Sequence, residues 1–382
     1  MKILHIGKYY PPFHGGMEAF LLALAQAQLS AGVAVQVLVH NHQSHTTDSS
    51  CDDGIEIIRT GRFGTLFFTP ISPAFRSVLK RMIATFQPDI LHLHMPNPSA
   101  FWVMTLACAK NIPWVVHWHA DVVSSNLDWR VKLAYRFYRP MEQALLQRAQ
   151  KIIVTSPPYL ESSRPLQAWR NKCRVIPLGI SSPPPSTTEC SLENTWHRDS
   201  LRVLAVGRLT YYKGFEYLIR AAGQTSSIQI NLVGEGEKLG ELQRLIRTAR
   251  LEDRVKLLGK QSDEALSRLF HSCDCLCLPS IERTEAFGMV LLEAARASKP
   301  AVVTDVAGSG MSWVVENRKT GLTVAAGDAE ALTTALAYLA THREQCREMG
   351  KLARARFDTM FRIDAVEKQV SELYRDMLSS PY

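Results

Sequence analysis

The sequence predicts an α/β protein built from two doubly wound parallel sheets, and three observations carry the prediction. Short β-branched runs alternate with amphipathic stretches along 382 residues, the pattern of strand-helix-strand units in a parallel sheet. The alternation stops once, at SSPPPSTTECSLENTWHRDS, which has no periodicity and is rich in Pro, Ser and Thr, and then it restarts. With 46% apolar residues, each half has side chains enough for a core of its own. The expected division is a first domain at residues 1–180, a linker at 181–200 and a second domain at 201–360.

Taken in order, KILHIG, VAVQVLVH, DILHLH, WVVHWH and KIIVTS read as the strands of the first domain, with RVIPLGI leading to the linker. LRVLAVG, IQINLVG, RVKLLG, CLCLPS and PAVVTD read as those of the second. Open parallel sheets bind ligands beyond the carboxyl ends of their strands. The loops after LHIG, HWHA, AVGRL and CLPS, on a cleft between the domains, are therefore where chemistry is expected. The opening MKILHIGKYYPP breaks at two prolines and does not read as a signal peptide, and no apolar run approaches the roughly 20 residues of a membrane span. Eight scattered cysteines then fit a cytoplasmic protein with reduced thiols. The net charge of +8 is unevenly placed: residues 1–174 hold 18 Lys and Arg against 10 Asp and Glu, and the remainder holds 26 of each.

Four loops carry candidate binding residues. After the first strand, Gly15 and Gly16 lead into a helix, where backbone N–H groups and the helix dipole favour an anion, although a plain glycine turn has the same appearance. In AVGRLTYYKGFEYL, Arg208 stands just past a strand and Lys213 just before Gly214 and the next helix. Two cations on such a loop suit a diphosphate, and solvated surface charges are the alternative. In LVGEGEKLGEL, Glu235 and Glu237 read as turn and helix-start charges. TEAFGMVLLE places Glu285 in a loop and Glu293 on the helix that follows. Were all eight steps helical, the two would lie about 12 Å apart, near the reach from a sugar ring to the ribose of an attached nucleotide. The backbone N–H groups of Gly288 and Met289 could meet the phosphates between them.

Together these residues resemble the family-4 (group 1) retaining glycosyltransferases of the GT-B fold. The marks are Gly-Gly after the first strand, G-R-L-x-x-x-K-G, Glu-x7-Glu as TEAFGMVLLEA, VIPLGI before the linker, and TGLTV followed by GDAEALTTAL. The likeness spans essentially the whole chain and implies two Rossmann-like domains. The first binds the acceptor and the second a nucleotide sugar, and a final helix at 361–382 crosses back to the first domain. It implies Arg208 and Lys213 as diphosphate ligands, Glu285 as the donor-sugar contact and Glu293 as the ribose contact. Gly15, Gly16, Phe287, Gly288 and Met289 complete the donor side. His119, at the end of WVVHWHADVV, matches the family's histidine beside the reacting sugar, and Asp121 is the acceptor-side candidate. The family's front-face mechanism passes the acceptor's proton to the leaving diphosphate, so retention needs no protein nucleophile. The absence of any Asp-x-Asp fits a reaction in which protein cations stand in for a metal, and no resident cofactor or metal is expected.

The histidines support a rival reading. His92 and His94, and His117 and His119, are i, i+2 pairs on strands, each sharing a face, and could form a zinc site for a hydrolase. That reading leaves the motifs of the second domain unexplained. Cys273, Cys275 and Cys277 read as a buried strand. The same second-domain motifs would also serve a nucleotide-sugar epimerase or hydrolase, or a catalytically silent binder.

Arg130, Lys132, Arg136 and Arg139, interleaved with Trp129, Tyr135, Phe137 and Tyr138, suit anionic lipid headgroups; a solvated helix face is the plainer reading. With the apolar loop FGTLFFTPISPAF they point to a saccharide or polyprenyl-linked acceptor at the inner membrane surface, in bacterial polysaccharide or lipopolysaccharide biosynthesis. The wording of KYYPPFHGGMEAF and ERTEAFGMVLLEA is most similar to members that use GDP-mannose, with a UDP-sugar as the second candidate donor. No nucleic-acid motif accompanies the basic half.

Overall fold

The computed structural model describes residues 1–66, 69–122, 129–182, 196 and 200–379. The chain divides into two compact units, Met1–Ser181 with Ile363–Tyr382, and Ser182–Arg362.

The first unit contains β1 (Lys2–Ile6), α1 (Gly16–Ser30), β2 (Ala34–His40), β3 (Asp48–Asp52), β4 (Ile55–Thr60) and the short pair β5 (Thr65–Leu66) and β6 (Thr69–Pro70). It continues through α2 (Phe75–Phe86), β7 (Ile90–Met95), β8 (Trp114–Trp118), α3 (Trp129–Arg148), β9 (Lys151–Val154), α4 (Pro157–Ser162) and β10 (Cys173–Val175). Eight strands form one sheet in the order β10-β9-β8-β7-β1-β2-β4-β3. All its pairs are parallel except β3 with β4. Strands β7 and β8 are buried along their whole length, as expected of strands covered on both faces.

The second unit holds β11 (Leu201–Val206), α5 (Phe215–Gln224), β12 (Ile228–Val233), α6 (Leu239–Thr248), β13 (Val255–Gly259), α7 (Asp263–Ser272) and β14 (Cys275–Leu278). It ends with α8 (Met289–Arg296), β15 (Ala301–Asp305), α9 (Met311–Val314), β16 (Gly321–Ala325), α10 (Ala329–Thr341) and α11 (Arg343–Arg356). Its six strands are ordered β13-β12-β11-β14-β15-β16, all parallel. Leu201, Val203 and Ala205 of β11 pack with Leu218, Ile219 and Ala222 of α5 in its core. The chain then returns to the first unit as α12 (Ile363–Ser379), which buries Val366, Val370, Leu373, Tyr374 and Met377 along one stripe.

The strand runs read from the sequence form strands at their expected places. The hairpin β3–β4 and the edge strand β16 have no counterpart in that reading: SSCD and TGLTV are too polar or too short to stand out. Trp196, inside the segment read as a linker, is buried and donates from Nε1 to Ser272 Oγ at 3.0 Å. At that point the segment is tied to the second unit, because a large amphipathic ring is best served by burial with its N–H paired. Residues 183–195 and 197–199 lie outside the described residues. Among the described residues no helix is long and apolar enough to cross a membrane.

Candidate functional site

In the second unit, the loops at the carboxyl ends of β11 and β14 bring two of the expected residues into direct contact. Lys213 Nζ lies 2.5 Å from Glu285 Oε2, with the two side chains only 11% and 12% exposed. Ser280 Oγ donates to the same carboxylate oxygen at 3.3 Å. The contact depends on backbone turns that only glycine tolerates at two positions. Gly214 caps α5 with φ 64°, and a Cβ there would stand 2.2 Å from the carbonyl oxygen of Pro279. Gly288 caps α8 with φ 82°, and a Cβ would press on Leu291 and Leu278 at 2.9 and 3.0 Å. The Glu285 loop is stitched to the one after β15: Ser309 Oγ donates to the Glu285 carbonyl, Gly310 N to that of Ala286 at 2.7 Å, and Thr304 Oγ1 to that of Ser280.

The other donor-side candidates fall around this pair. Arg208 is exposed just past β11. Helix α8 starts only at Met289, so Glu285 and Glu293 are not joined by eight helical steps. Glu293 is half-buried on α8; burial pushes its carboxyl up to about 7 against the opposing pull of Arg296. Met289 opens the helix, half-buried. The ring of Phe287 is buried between Trp313 and Phe361, at 6.4 and 6.2 Å between centroids, so its side chain serves the core and only its backbone is available to a ligand. Glu235 and Glu237 are exposed in the turn before α6. Cys275 and Cys277 pack in the core with Cys273 buried beside them, and burial pushes the Cys273 thiol up to about 12.

In the first unit, one face of the sheet carries histidine where apolar residues are usual. Register pairs His5 with His92 and His94 with His117, and the i, i+2 spacing adds His119, so five rings share one face. All are buried and hydrogen-bonded to one another: His5 Nδ1 to His94 Nε2 at 3.0 Å, His92 Nε2 to His117 Nδ1 at 3.2 Å, and His94 Nδ1 to His119 Nε2 at 2.9 Å. Gln28 of α1 closes the cluster on His5, and Tyr374 of α12 closes it on His92. Burial holds all five imidazoles far below their ordinary range, His5 to about 4 and His119 to about 3. Two triads, His5/His92/His94 and His94/His117/His119, have ring nitrogens within 4.8 Å and are the residues that could hold a metal. Most of their ring nitrogens are taken up in hydrogen bonds with one another, with Gln28 and with Tyr374; His117 Nε2 and His119 Nδ1 have no partner among the described residues.

At the carboxyl edge of the same sheet, buried polar atoms lack partners among the described residues: Tyr10 Oη after β1, Asn97 Nδ2 after β7, His119 Nδ1 after β8, and Thr155 Oγ1 and Ser156 Oγ after β9. Such atoms are costly unless something hydrogen-bonds to them. Gly15 caps α1 and Gly16 opens it, but a Cβ on Gly15 would stand 2.2 Å from Glu18 Oε2. The helix start that the sequence reserved for a ligand anion thus already has a carboxylate of this chain beside it. Asp121 Oδ1 accepts from Trp118 Nε1 at 2.8 Å and from Ser163 Oγ at 2.7 Å, bonds that tie it to its own unit. Gln28, His5, Tyr374, Ser280 and Ser309 escaped the sequence reading. Only His5 left a signal there, as a polar residue in the apolar run KILHIG.

Two Rossmann-like units with a cation and a carboxylate on the loops of the second suit a ligand that bears both phosphate and hydroxyls, and the comparisons with known proteins supply the class. Residues 191–356 match the model of the glycosyl transferases group 1, and residues 15–179 that of the glycosyl transferase 4-like domain. The chain belongs to this glycosyltransferase family. It is 28% identical to O-antigen chain mannosyltransferase C of Escherichia coli, over 100% of both chains. It is 30% identical to the D-rhamnosyltransferase WbpZ of Pseudomonas aeruginosa, over 94% of this chain and 92% of that one. Among solved structures it is similar to the sucrose-phosphate synthase of Thermosynechococcus elongatus, with a TM-score of 0.81 at 23% identity over 100% of both chains. The Anabaena protein HepE, in complex with UDP-glucose, gives a TM-score of 0.73 at 20% identity, over 98% of this chain and 100% of that one. The fold is GT-B.

Proposed function

We propose that the protein is a retaining hexosyltransferase that needs no metal and moves mannose from GDP-mannose to a lipid-linked or oligosaccharide acceptor in the assembly of a bacterial polysaccharide. The observation that carries the reading is the Lys213–Glu285 contact at the carboxyl ends of β11 and β14. It holds together a cation suited to the diphosphate and a carboxylate suited to sugar hydroxyls. Lysine has three N–H donors and can keep Glu285 while reaching a phosphate oxygen. In the reaction the bond from the sugar's anomeric carbon to the diphosphate breaks, and the acceptor oxygen bonds that carbon from the same face. The acceptor's proton passes to a diphosphate oxygen. Lys213 and Arg208 then stabilise charge that grows on the leaving group. His119 and Glu285 orient the sugar, Glu293 takes the ribose hydroxyls, and Asp121 positions the acceptor side.

The mannosyltransferase relative supports the choice of mannose, and the names of other relatives support glycolipid and polysaccharide acceptors, among them a phosphatidyl-myo-inositol mannosyltransferase of Mycobacterium leprae. An apolar stripe of α3 supports a membrane-surface acceptor: Leu133, Phe137 and Met141, at i, i+4 and i+8, are 51%, 70% and 43% exposed, beside exposed Arg136 and Arg139. The side chains of residues 129–132 lie outside the described residues.

The test is calorimetric binding of GDP, UDP and their mannose and glucose conjugates, each with and without EDTA, followed by determination of the anomeric configuration of the product. Binding of GDP-mannose that survives EDTA and an axial product linkage are expected. Binding abolished by EDTA would overturn the metal-independent reading and return attention to the histidine triads.

A further inference from the structure

His119 stands at the end of a chain of hydrogen bonds whose direction is decided at Gln28. Buried on α1, Gln28 accepts from His5 Nε2 at 2.7 Å through its carbonyl oxygen and donates to Tyr374 Oη at 3.3 Å through its amide nitrogen. A carbonyl oxygen only accepts, so His5 carries its proton on Nε2. A neutral imidazole has one such proton, which leaves His5 Nδ1 bare, and His94 Nε2 at 3.0 Å supplies the N–H between them. The step repeats: His94 Nδ1 is bare and accepts from His119 Nε2–H at 2.9 Å. His119 ends with a bare Nδ1, an atom with no partner among the described residues.

The second branch runs with the opposite polarity. Tyr374 accepts from Gln28 and gives its O–H to His92 Nδ1. His92 Nε2–H donates to His117 Nδ1 at 3.2 Å, and His117 ends with an unpartnered Nε2–H. Burial keeps every ring neutral, so each link from Gln28 to His119 has a single solution, and on the second branch the buried Tyr374 hydroxyl is satisfied as a donor by His92 Nδ1. Turning the Gln28 amide over would reverse all of them together.

We propose that Gln28 is a positioning residue that fixes His119 as its Nε2–H tautomer through His5 and His94, and so presents Nδ1 of His119 to a ligand as a hydrogen-bond acceptor. Such an atom takes a sugar hydroxyl and refuses an ionised phosphate oxygen, which has no proton to give. The tautomer stands on the hydrogen bonds and on the neutrality of the buried rings. Its use in transfer rests on the reading of His119 proposed above.

The experiment is long-range proton–nitrogen NMR of the imidazoles in the full chain, with His119 identified by the signals lost in His119→Gln. The wild-type protein is expected to show His119 protonated on Nε2. Protonation on Nδ1 would overturn the proposal without any variant at Gln28. Gln28→Glu replaces the amide by a group that only accepts. It should leave His119 unchanged while moving the protons of His92 and His117 to Nδ1, because the carboxylate accepts the hydrogen bond of the Tyr374 hydroxyl. Gln28→Leu removes both bonds and should leave His119 without a single tautomer; an unchanged His119 in that variant would also overturn the proposal.

Turnover supplies the second readout. Sugar transfer should fall about fivefold in Gln28→Leu, the factor that one lost neutral hydrogen bond represents, and hold in Gln28→Glu. A residue needed only for packing would give the reverse order, since a buried charge is the harsher change. A Gln28→Leu protein that loses the tautomer yet transfers sugar at the wild-type rate would overturn the contact between His119 and the sugar, and would leave the tautomer assignment standing.

Discussion

Acidifying the protein toward a pH of about 5.5 should unfold its first unit, because the histidine layer must stay neutral to stay buried. Unfolded histidine titrates near 6.5. Folded His5 titrates at about 4 and His119 at about 3, and the other three rings lie well below 6.5. Each folded value is depressed, so the stability these rings contribute is present above pH 6.5 and is lost as pH falls toward the folded values. At a pH of about 5.5 the unfolded chain gains on the order of 1 kcal/mol per such ring from protonation, and five rings together gain several kcal/mol. That is comparable to the whole stability of an ordinary domain, about 5–15 kcal/mol. Urea unfolding followed by the fluorescence of buried Trp114 and Trp118 at a series of pH values reads the effect. The expected result is a midpoint that drops steeply between about pH 7 and pH 5.5, with several protons taken up on unfolding. His5→Asn should flatten the dependence by one ring's share. A midpoint that stays level over that range, or uptake of fewer than one proton, would refute the reasoning.

Three further outcomes are expected. Burial holds the Glu293 carboxyl at about 7, and ribose hydroxyls that donate to it would favour its carboxylate, so donor binding should release a proton below that pH. Affinity measured by calorimetry should then fall roughly 30-fold between about pH 8 and pH 5.5, and Glu293→Gln should remove the dependence. Lys213→Ala should weaken diphosphate binding and also lower thermal stability, because it leaves the largely buried Glu285 carboxylate unpaired. Glu285→Gln, which leaves the buried Lys213 ammonium without its counter-ion, should cut sugar transfer at least about tenfold and also lower stability; a variant as stable and as active as the wild type would argue against the pair. Arg136→Ala should lower partition onto anionic vesicles about fivefold at low salt, since each basic residue near such a surface contributes about 1 kcal/mol. Phe137→Glu should lower it further, and vesicle binding untouched by both would remove α3 from the membrane reading.

Much of the fold was legible because it follows from local pattern. Parallel strands covered on both faces must be apolar along their length, so runs such as KILHIG and CLCLPS announce themselves. The polar strand β3 and the five-residue edge strand β16 carry no such contrast, although β4, which buries Ile55, Ile57 and Ile58, does. On the candidate site, the motif around Lys213 and the one around Glu285 were visible separately. Their 2.5 Å contact was not, because it depends on β11 and β14 lying side by side in the sheet. Phe287 shows the converse case. It stands inside a motif expected to meet the donor, and nothing local marks that its ring packs against Trp313 and Phe361.

By itself, then, the sequence determined two α/β domains, the loops that bear charge, and the family, since periodicity and short motifs are properties of neighbouring residues. Tertiary structure alone decided the histidine layer. His5, Gln28, His92, His94, His117, His119 and Tyr374 come from five separate elements, and only the strand order β8-β7-β1 beneath α1 and α12 makes them one hydrogen-bonded body. Residues that meet only through sheet register leave no pattern along the chain, and the direction of the proton on each ring is set by whichever group the previous ring faces.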